Sequence, residues 1–197
     1  MPSSIRPVTL EDVLGLERYE AARDEIRRRT IELKRNRRVP VGDSITFVFE
    51  NHDTMFFQVQ EMLRAERITD LDAIREELDV YNELLPRPGQ LSATMLIEIT
   101  EQVDVEKRLL GLLGIDEAVR LEVSEQVIAG EFEPGRSRED RLSAVQYVRF
   151  SFSPDARSAF LDPQRPAWLV VDHRNYGART PLAGGVRASL SEDLRDA

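Results

Sequence analysis

The stretch SITFVFENHDTMFFQVQEMLRAERI, residues 44–68, reads as a strand, a cap and a helix in direct succession. Ile45, Phe47 and Phe49 alternate with Thr46, Val48 and Glu50, the period-two pattern of a strand with one face buried. Asn51, His52, Asp53 and Thr54 follow. Short polar side chains of this kind accept hydrogen bonds from the free N–H groups of a helix start, so the strand should end there and a helix should run over Met55–Ile68. Met55, Phe56, Val59, Met62 and Leu63 then line one helical face.

Towards the N-terminus, Thr9 with Asp12 three residues later predicts a helix start, and Gly15 interrupts it. A longer helix is expected over Glu17–Asn36, so the N-terminal helical segment spans about 9–36. Its apolar contacts (Tyr19, Ala22, Ile26, Ile31, Leu33) are sparse, which leaves much of it solvated. Pro40 and Gly42-Asp43 mark a turn. Beyond residue 68, Asp70 caps a helix carrying Leu71, Ile74, Leu78, Tyr81 and Leu85, stopped by Pro86. Strands are expected at Leu91–Ile99, Ala118–Glu125, Val127–Phe132, Ala144–Phe152 and Ala167–Asp172. Short helices are expected at Asp104–Gly114, Ser153–Leu161 and Gly185–Leu194, and a polar connection at Pro134–Arg141. Strands adjacent in sequence favour antiparallel pairing, and no βαβ rhythm is present. The expectation is a single α+β domain over residues 1–197, with a mostly antiparallel sheet packed by helices.

Of the 197 residues, 41% are apolar and 32% charged, enough for a hydrophobic core. The net charge of −9 is uneven. From Arg23 to Arg38 eight basic residues face three acidic ones, a net of +5 that leaves −14 for the remainder. The absence of cysteine excludes disulfides, a thiolate nucleophile and cysteine-held iron–sulfur or zinc sites. No apolar run is long enough for a membrane span, and the first residues lack the apolar stretch of a secretory signal, so a cytoplasmic location is expected. The basic residues Arg27, Arg28, Arg35, Arg37 and Arg38 form a candidate docking surface. Nucleic acid is the poorer match, because no aromatic residues are interleaved to stack bases and the rest of the chain repels a polyanion.

Phosphate-binding glycine loops and metalloprotease motifs are missing, and the two histidines are His52 and His173. Gly184-Gly185 before the last helix reads as a turn and cap, with an anion site at the helix start as the sharper reading. Glu66 falls on the apolar face of the 55–68 helix, where a carboxylate is costly to bury without a donor or cation. Arg149 is the candidate partner, from a strand face shared with Val145 and Tyr147. The pair reads as a structural salt bridge, as part of a polar or metal pocket, or as simply exposed. Glu61 and Arg64 suit a local ion pair at i, i+3 spacing. Glu50, Glu98 and His173, together with Glu66, would make a hard metal or acid–base site if they converged. His52, among capping residues, reads as a loop residue.

Several stretches taken together resemble an uncharacterised bacterial family, domain of unknown function 3501. They include Leu10-Glu-Asp-Val-Leu, Lys34-Arg-Asn-Arg-Arg-Val-Pro-Val-Gly42, Phe49-Glu50, Gln58-Val-Gln-Glu-Met-Leu-Arg-Ala-Glu-Arg-Ile68 and Glu77-Leu-Asp-Val-Tyr-Asn82. Ala93-Thr-Met-Leu-Ile-Glu98, Ser143-Ala-Val-Gln-Tyr-Val-Arg-Phe150 and Val171-Asp-His173 with Tyr176 complete the set. The resemblance implies a motif match at Glu50, Gln58, Gln60, Glu61, Arg64, Glu66, Arg149 and His173, and it argues against His52 as a ligand. It implies no established activity. Family members are often encoded near a rubrerythrin-like di-iron protein and an iron–sulfur oxidoreductase, which implies a redox-protein partner. The expected function is an accessory or binding protein beside such a partner. The alternative is a metal-dependent or small-molecule enzyme with its pocket at Glu50, Gln58, Gln60, Glu61, Arg64, Glu66, Glu98, Arg149 and His173.

Overall fold

The computed structural model describes residues 4–99, 104–133, 137–138 and 141–195. Helix α1 (Leu16–Arg35) leads into strands β1 (Arg38–Val41) and β2 (Ile45–Phe49), then helices α2 (His52–Glu66) and α3 (Leu71–Asn82). Strand β3 (Gln90–Ile97), helix α4 (Val105–Leu110) and a 3-10 turn at Ile115–Glu117 precede β4 (Val119–Val123) and β5 (Gln126–Phe132). After the two-residue strands β6 (Ser137–Arg138) and β7 (Arg141–Leu142) come β8 (Val145–Ser151), α5 (Pro154–Leu161), β9 (Ala167–His173), β10 (Tyr176–Pro181) and α6 (Gly184–Arg195). The rest of the connection expected at Pro134–Arg141 lies outside the described residues.

Eight strands form one sheet in the order β1-β2-β3-β8-β5-β4-β9-β10, with every pair antiparallel. The class is α+β as expected, but the sheet does not lie open beneath helices. It curls until its two edges meet. Thr180 Oγ1 donates to the Pro40 carbonyl (2.6 Å) and the Tyr176 hydroxyl donates to Val41 O (2.6 Å), so side chains bridge β1 and β10. Covering an edge in this way removes a template for unwanted pairing. Both strands escape the sequence reading. β1 contains a proline, which an edge strand tolerates because its missing N–H is not needed in a ladder. Gly42 follows at φ +73°, and a Cβ there would stand 2.4 Å from the Tyr176 oxygen, so this turn both needs the left-handed region and admits no side chain.

The interior of the curl holds Phe47, Phe49, Met95, Leu121, Phe150 and Leu169, joined by Phe160 of α5 and by Leu190 and Leu194 of α6. A second apolar cluster lies between α2 and α3 and gathers Met55, Val59, Leu63, Ile74 and Leu78 around Val8. α2 begins three residues earlier than expected, because Asn51 and Thr54 close a reciprocal cap. Asn51 accepts from Thr54 N–H (3.1 Å), and Thr54 Oγ1 accepts from Asn51 N–H (2.9 Å). The helix expected from Thr9 does not form. Asp12 instead accepts from Thr9 N–H and Oγ1 and ties up Arg6, holding a single turn.

Two side-chain amides fasten the N-terminal segment. Gln60 accepts from Leu14 N–H (2.6 Å) and donates to Leu14 O (3.2 Å). Asn82 repeats the arrangement on Val8 at 2.8 and 2.9 Å. Each amide satisfies one backbone donor and one acceptor, as a neighbouring strand would.

Arg37 corrects the sequence reading most sharply. It was expected on the basic surface, yet it is 1% exposed. Its Nε donates to Phe49 O (2.8 Å) and Nη2 to Glu50 O (3.1 Å); Nη1 donates to Ser189 (3.1 Å), and both terminal nitrogens reach the Asp193 carboxylate of α6. All five N–H groups thus have acceptors. Asp193 is 1% exposed and also accepts from Ser4 Oγ (2.9 Å). Burial pushes its carboxyl up from the ordinary value, and Arg37 opposes that shift. Removing one member strands the other charge in the core, so Arg37→Met or Asp193→Leu alone should cost about 3–5 kcal/mol in urea unfolding, while the double variant recovers most of that loss.

Candidate functional site

The nine expected pocket residues do not meet in one place. Glu61 is the best connected. It lies on α2 facing α1, where the Tyr19 hydroxyl donates to Oε1 (2.7 Å) and Arg23 engages both oxygens at 2.8 Å. Arg64 Nε stands 3.6 Å away, close to the local pair expected, and Glu20 of α1 lies 4.0 Å from Arg64. The Arg23 guanidinium, followed by the Tyr19 hydroxyl, pulls the Glu61 carboxyl down to about 2 against the opposing effect of burial. Burial and Glu61 together push the Tyr19 hydroxyl up. At neutral pH the pair is a locked carboxylate and a protonated phenol, with neither group poised to exchange protons. Tyr19 and Arg23 were missed by the sequence reading, although their i, i+4 spacing places them on one face of α1.

Glu66 is exposed, and it makes no ion pair with Arg149 among the described residues. The helical wheel extended the apolar face one turn too far. α2 ends at Glu66, Arg67 turns into the left-handed region (φ 54°), and Ile68 N–H closes back on Leu63 O (2.9 Å). The reversal brings Ile68, rather than Glu66, against the apolar cluster. Arg149 donates through Nη2 to Glu83 O, while its buried Nε has no hydrogen-bond partner among the described residues. It lines a cavity of about 210 Å³ with Glu131 and Ser92.

Glu50 is 2% exposed and accepts from Thr94 Oγ1 (2.7 Å) and from Gln58 Nε2 (3.4 Å). Glu98 is exposed, accepting from Thr46 (2.8 Å) and Arg38. The His173 ring uses both nitrogens, Nε2 donating to Leu113 O (3.0 Å) and Nδ1 accepting from Asn175 N–H (3.2 Å). That fixes its tautomer and leaves no lone pair free. His52 sits in the first turn of α2 against Arg6 O. Among the described residues no three acidic or histidine side chains come together as a metal site would require.

The basic stripe divides in the same way. Arg37 is internal and Arg38 meets Glu98, while Arg27, Arg28 and Arg35 remain on the outer face of α1. Among the described residues no helix is long and apolar enough to cross a membrane.

A curled eight-stranded antiparallel sheet, carrying a helical N-terminal layer and a closing helix pinned by an internal arginine, defines the class of this protein. The chain belongs to the family described as "Protein of unknown function (DUF3501)", which it matches over residues 7–194. It is also similar to a solved structure described as a novel protein of unknown function from Burkholderia pseudomallei, at 30% identity and a TM-score of 0.89. The match covers 96% of this chain and 100% of that one. No curated protein matches.

Because the Glu61 carboxyl is depressed in the folded protein, its stabilising contribution is present above about pH 4.5 and is lost as the pH falls towards about 2. Glu61→Gln should flatten that part of the stability–pH profile in urea titrations, whereas Glu66→Gln should leave it unchanged. Gln60→Ala should loosen the N-terminal segment and speed its cleavage by limited proteolysis, with the rest of the fold intact.

Proposed function

We propose that the chain acts as one cytoplasmic domain, an accessory or binding protein that docks an acidic protein partner through the outer face of α1. The observation that carries this reading is a 20-residue helix that buries only Tyr19 and Thr30 and leaves Arg27, Arg28 and Arg35 exposed. Arg27, Ile31 and Arg35 follow one another at i, i+4, i+8 on one side of the helix, and Ile31 is 49% exposed. An apolar centre flanked by cations suits an interface with a carboxylate-rich surface. Glu25 and Glu32 pair locally with Arg28, Arg29 and Arg35. Exposed pairs of this kind are worth little, so a partner's carboxylates can replace them at small cost.

The redox proteins implied by the family resemblance, a rubrerythrin-like di-iron protein and an iron–sulfur oxidoreductase, are the first partners to test. The alternative of a metal-dependent or small-molecule enzyme at Glu50, Glu98 and His173 would require those groups to share a cavity, and each is instead engaged with separate neighbours. The triple variant Arg27→Glu, Arg28→Glu, Arg35→Glu should lose most capture of the di-iron protein in a pull-down, and wild-type capture should weaken as salt rises. Equal capture by the variant, independent of salt, would refute the α1 surface.

A further inference from the structure

A cavity of about 470 Å³ opens between α6, the connection that follows α5, and the paired ends of β9 and β10. Its walls combine Pro163, Pro166, Pro181 and the half-buried indole of Trp168 with Arg165, Arg187 and Arg195. Glu192 is the one carboxylate among the lining residues, so the lining carries a net +2 in a chain of net −9. Asp162, just outside, lies 3.5 Å from Arg165.

Arg187 is 6% exposed and has no carboxylate within ion-pair distance among the described residues. Its acceptors are all neutral. Nε donates to Phe160 O (2.7 Å) and Nη2 faces the carbonyls of Ala159, Asp162 and Arg165, which caps the C-terminal end of α5. Among the described residues Nη1 has a single contact, to Leu182 O at 3.4 Å, which leaves one of its N–H groups without an acceptor there. Phe160 stacks beneath the guanidinium at 3.9 Å. One turn further along α6, Ser191 lines the same cavity. It is 4% exposed, and its hydroxyl has no hydrogen-bond partner among the described residues. The hydroxyl is reached from the cavity rather than sealed in the core, so it is available to a ligand there. At the start of α6, a Cβ on Gly184 would meet nothing within 4 Å, so a ligand can approach this backbone directly.

We infer that this cavity binds a small organic anion, with a phosphate or carboxylate head among Arg165, Arg187, Arg195 and the Ser191 hydroxyl and a compact apolar body against Trp168 and the prolines. A guanidinium bonded only to carbonyl oxygens supplies a positive charge in a partly desolvated place, where its attraction for an anion is stronger than in water. Arg179 covers the Trp168 ring at 3.9 Å, which holds the indole in place as a wall. The site is independent of the docking face on α1.

Trp168 is the sole tryptophan of the chain, so intrinsic fluorescence reports on this cavity. Titration with phenyl phosphate and with benzoate, at constant ionic strength, should give a saturable change in emission for at least one of them. The head group preferred identifies the class, and inorganic phosphate should bind more weakly than the better aromatic anion. Ser191→Ala and Arg195→Glu should each weaken binding by about tenfold, while Arg28→Glu leaves it unchanged. Arg195 is exposed, so its variant tests the site without disturbing the core. Absence of a saturable response to either aromatic anion, or wild-type affinity in both cavity variants, would overturn the assignment.

Discussion

The fold depends on one buried ion pair. Arg37 stands where α1 ends and β1 begins, and Asp193 lies near the end of α6. Between them they bond the last residue of β2, the residue that follows it, the N-terminal Ser4 and Ser189 of α6. Four parts of the chain that are remote in sequence are thereby held at one point inside the protein. Two charges in such a place are expensive to desolvate. They persist because every guanidinium N–H finds an acceptor and because Ser4 supplies a further donor to the carboxylate. The arrangement is strongly directional, which apolar contacts are not, and it sets the position of α6 against the open end of the sheet.

Much of the remaining polar material in the N-terminal half serves the same end. Gln60 and Asn82 hold the leading segment by its backbone, and Glu61 joins α1 to α2 through Tyr19 and Arg23. A helix as thinly apolar as α1 cannot dock by hydrophobic burial alone. The bidentate Arg23–Glu61 contact and the buried Tyr19 ring supply what the sparse stripe lacks. The outer side of α1 is then free to remain charged. The stripe visible in the sequence is consequently two things: an internal fastener at its end and a solvated face along its length.

The closing helix has a different character from the rest. At α6 the protein buries Arg187, a cation whose hydrogen bonds all go to backbone carbonyls. In the N-terminal half Arg37 and Glu61 meet opposite charges, while the buried Glu50 is held by the neutral donors Thr94 and Gln58.

The sequence alone determined the kinds of element and most of their limits. Alternation marked β2, β3 and β8, caps marked α2 and α3, and the lack of a βαβ rhythm indicated antiparallel pairing. These features are local, set by side-chain period and by the bonding of a few adjacent residues. The edge strands β1 and β10 were not legible, because short edge strands, both containing proline, acquire their form only when the sheet curls and brings them together. The candidate site was legible as a set of residue types but not as a place. Glu61 and Glu66 share a helix, and Arg35 and Arg37 are two residues apart, yet one of each pair is engaged inward and the other faces water. Whether a charge can be buried depends on donors and acceptors that arrive from distant parts of the chain. That choice belonged to the tertiary structure.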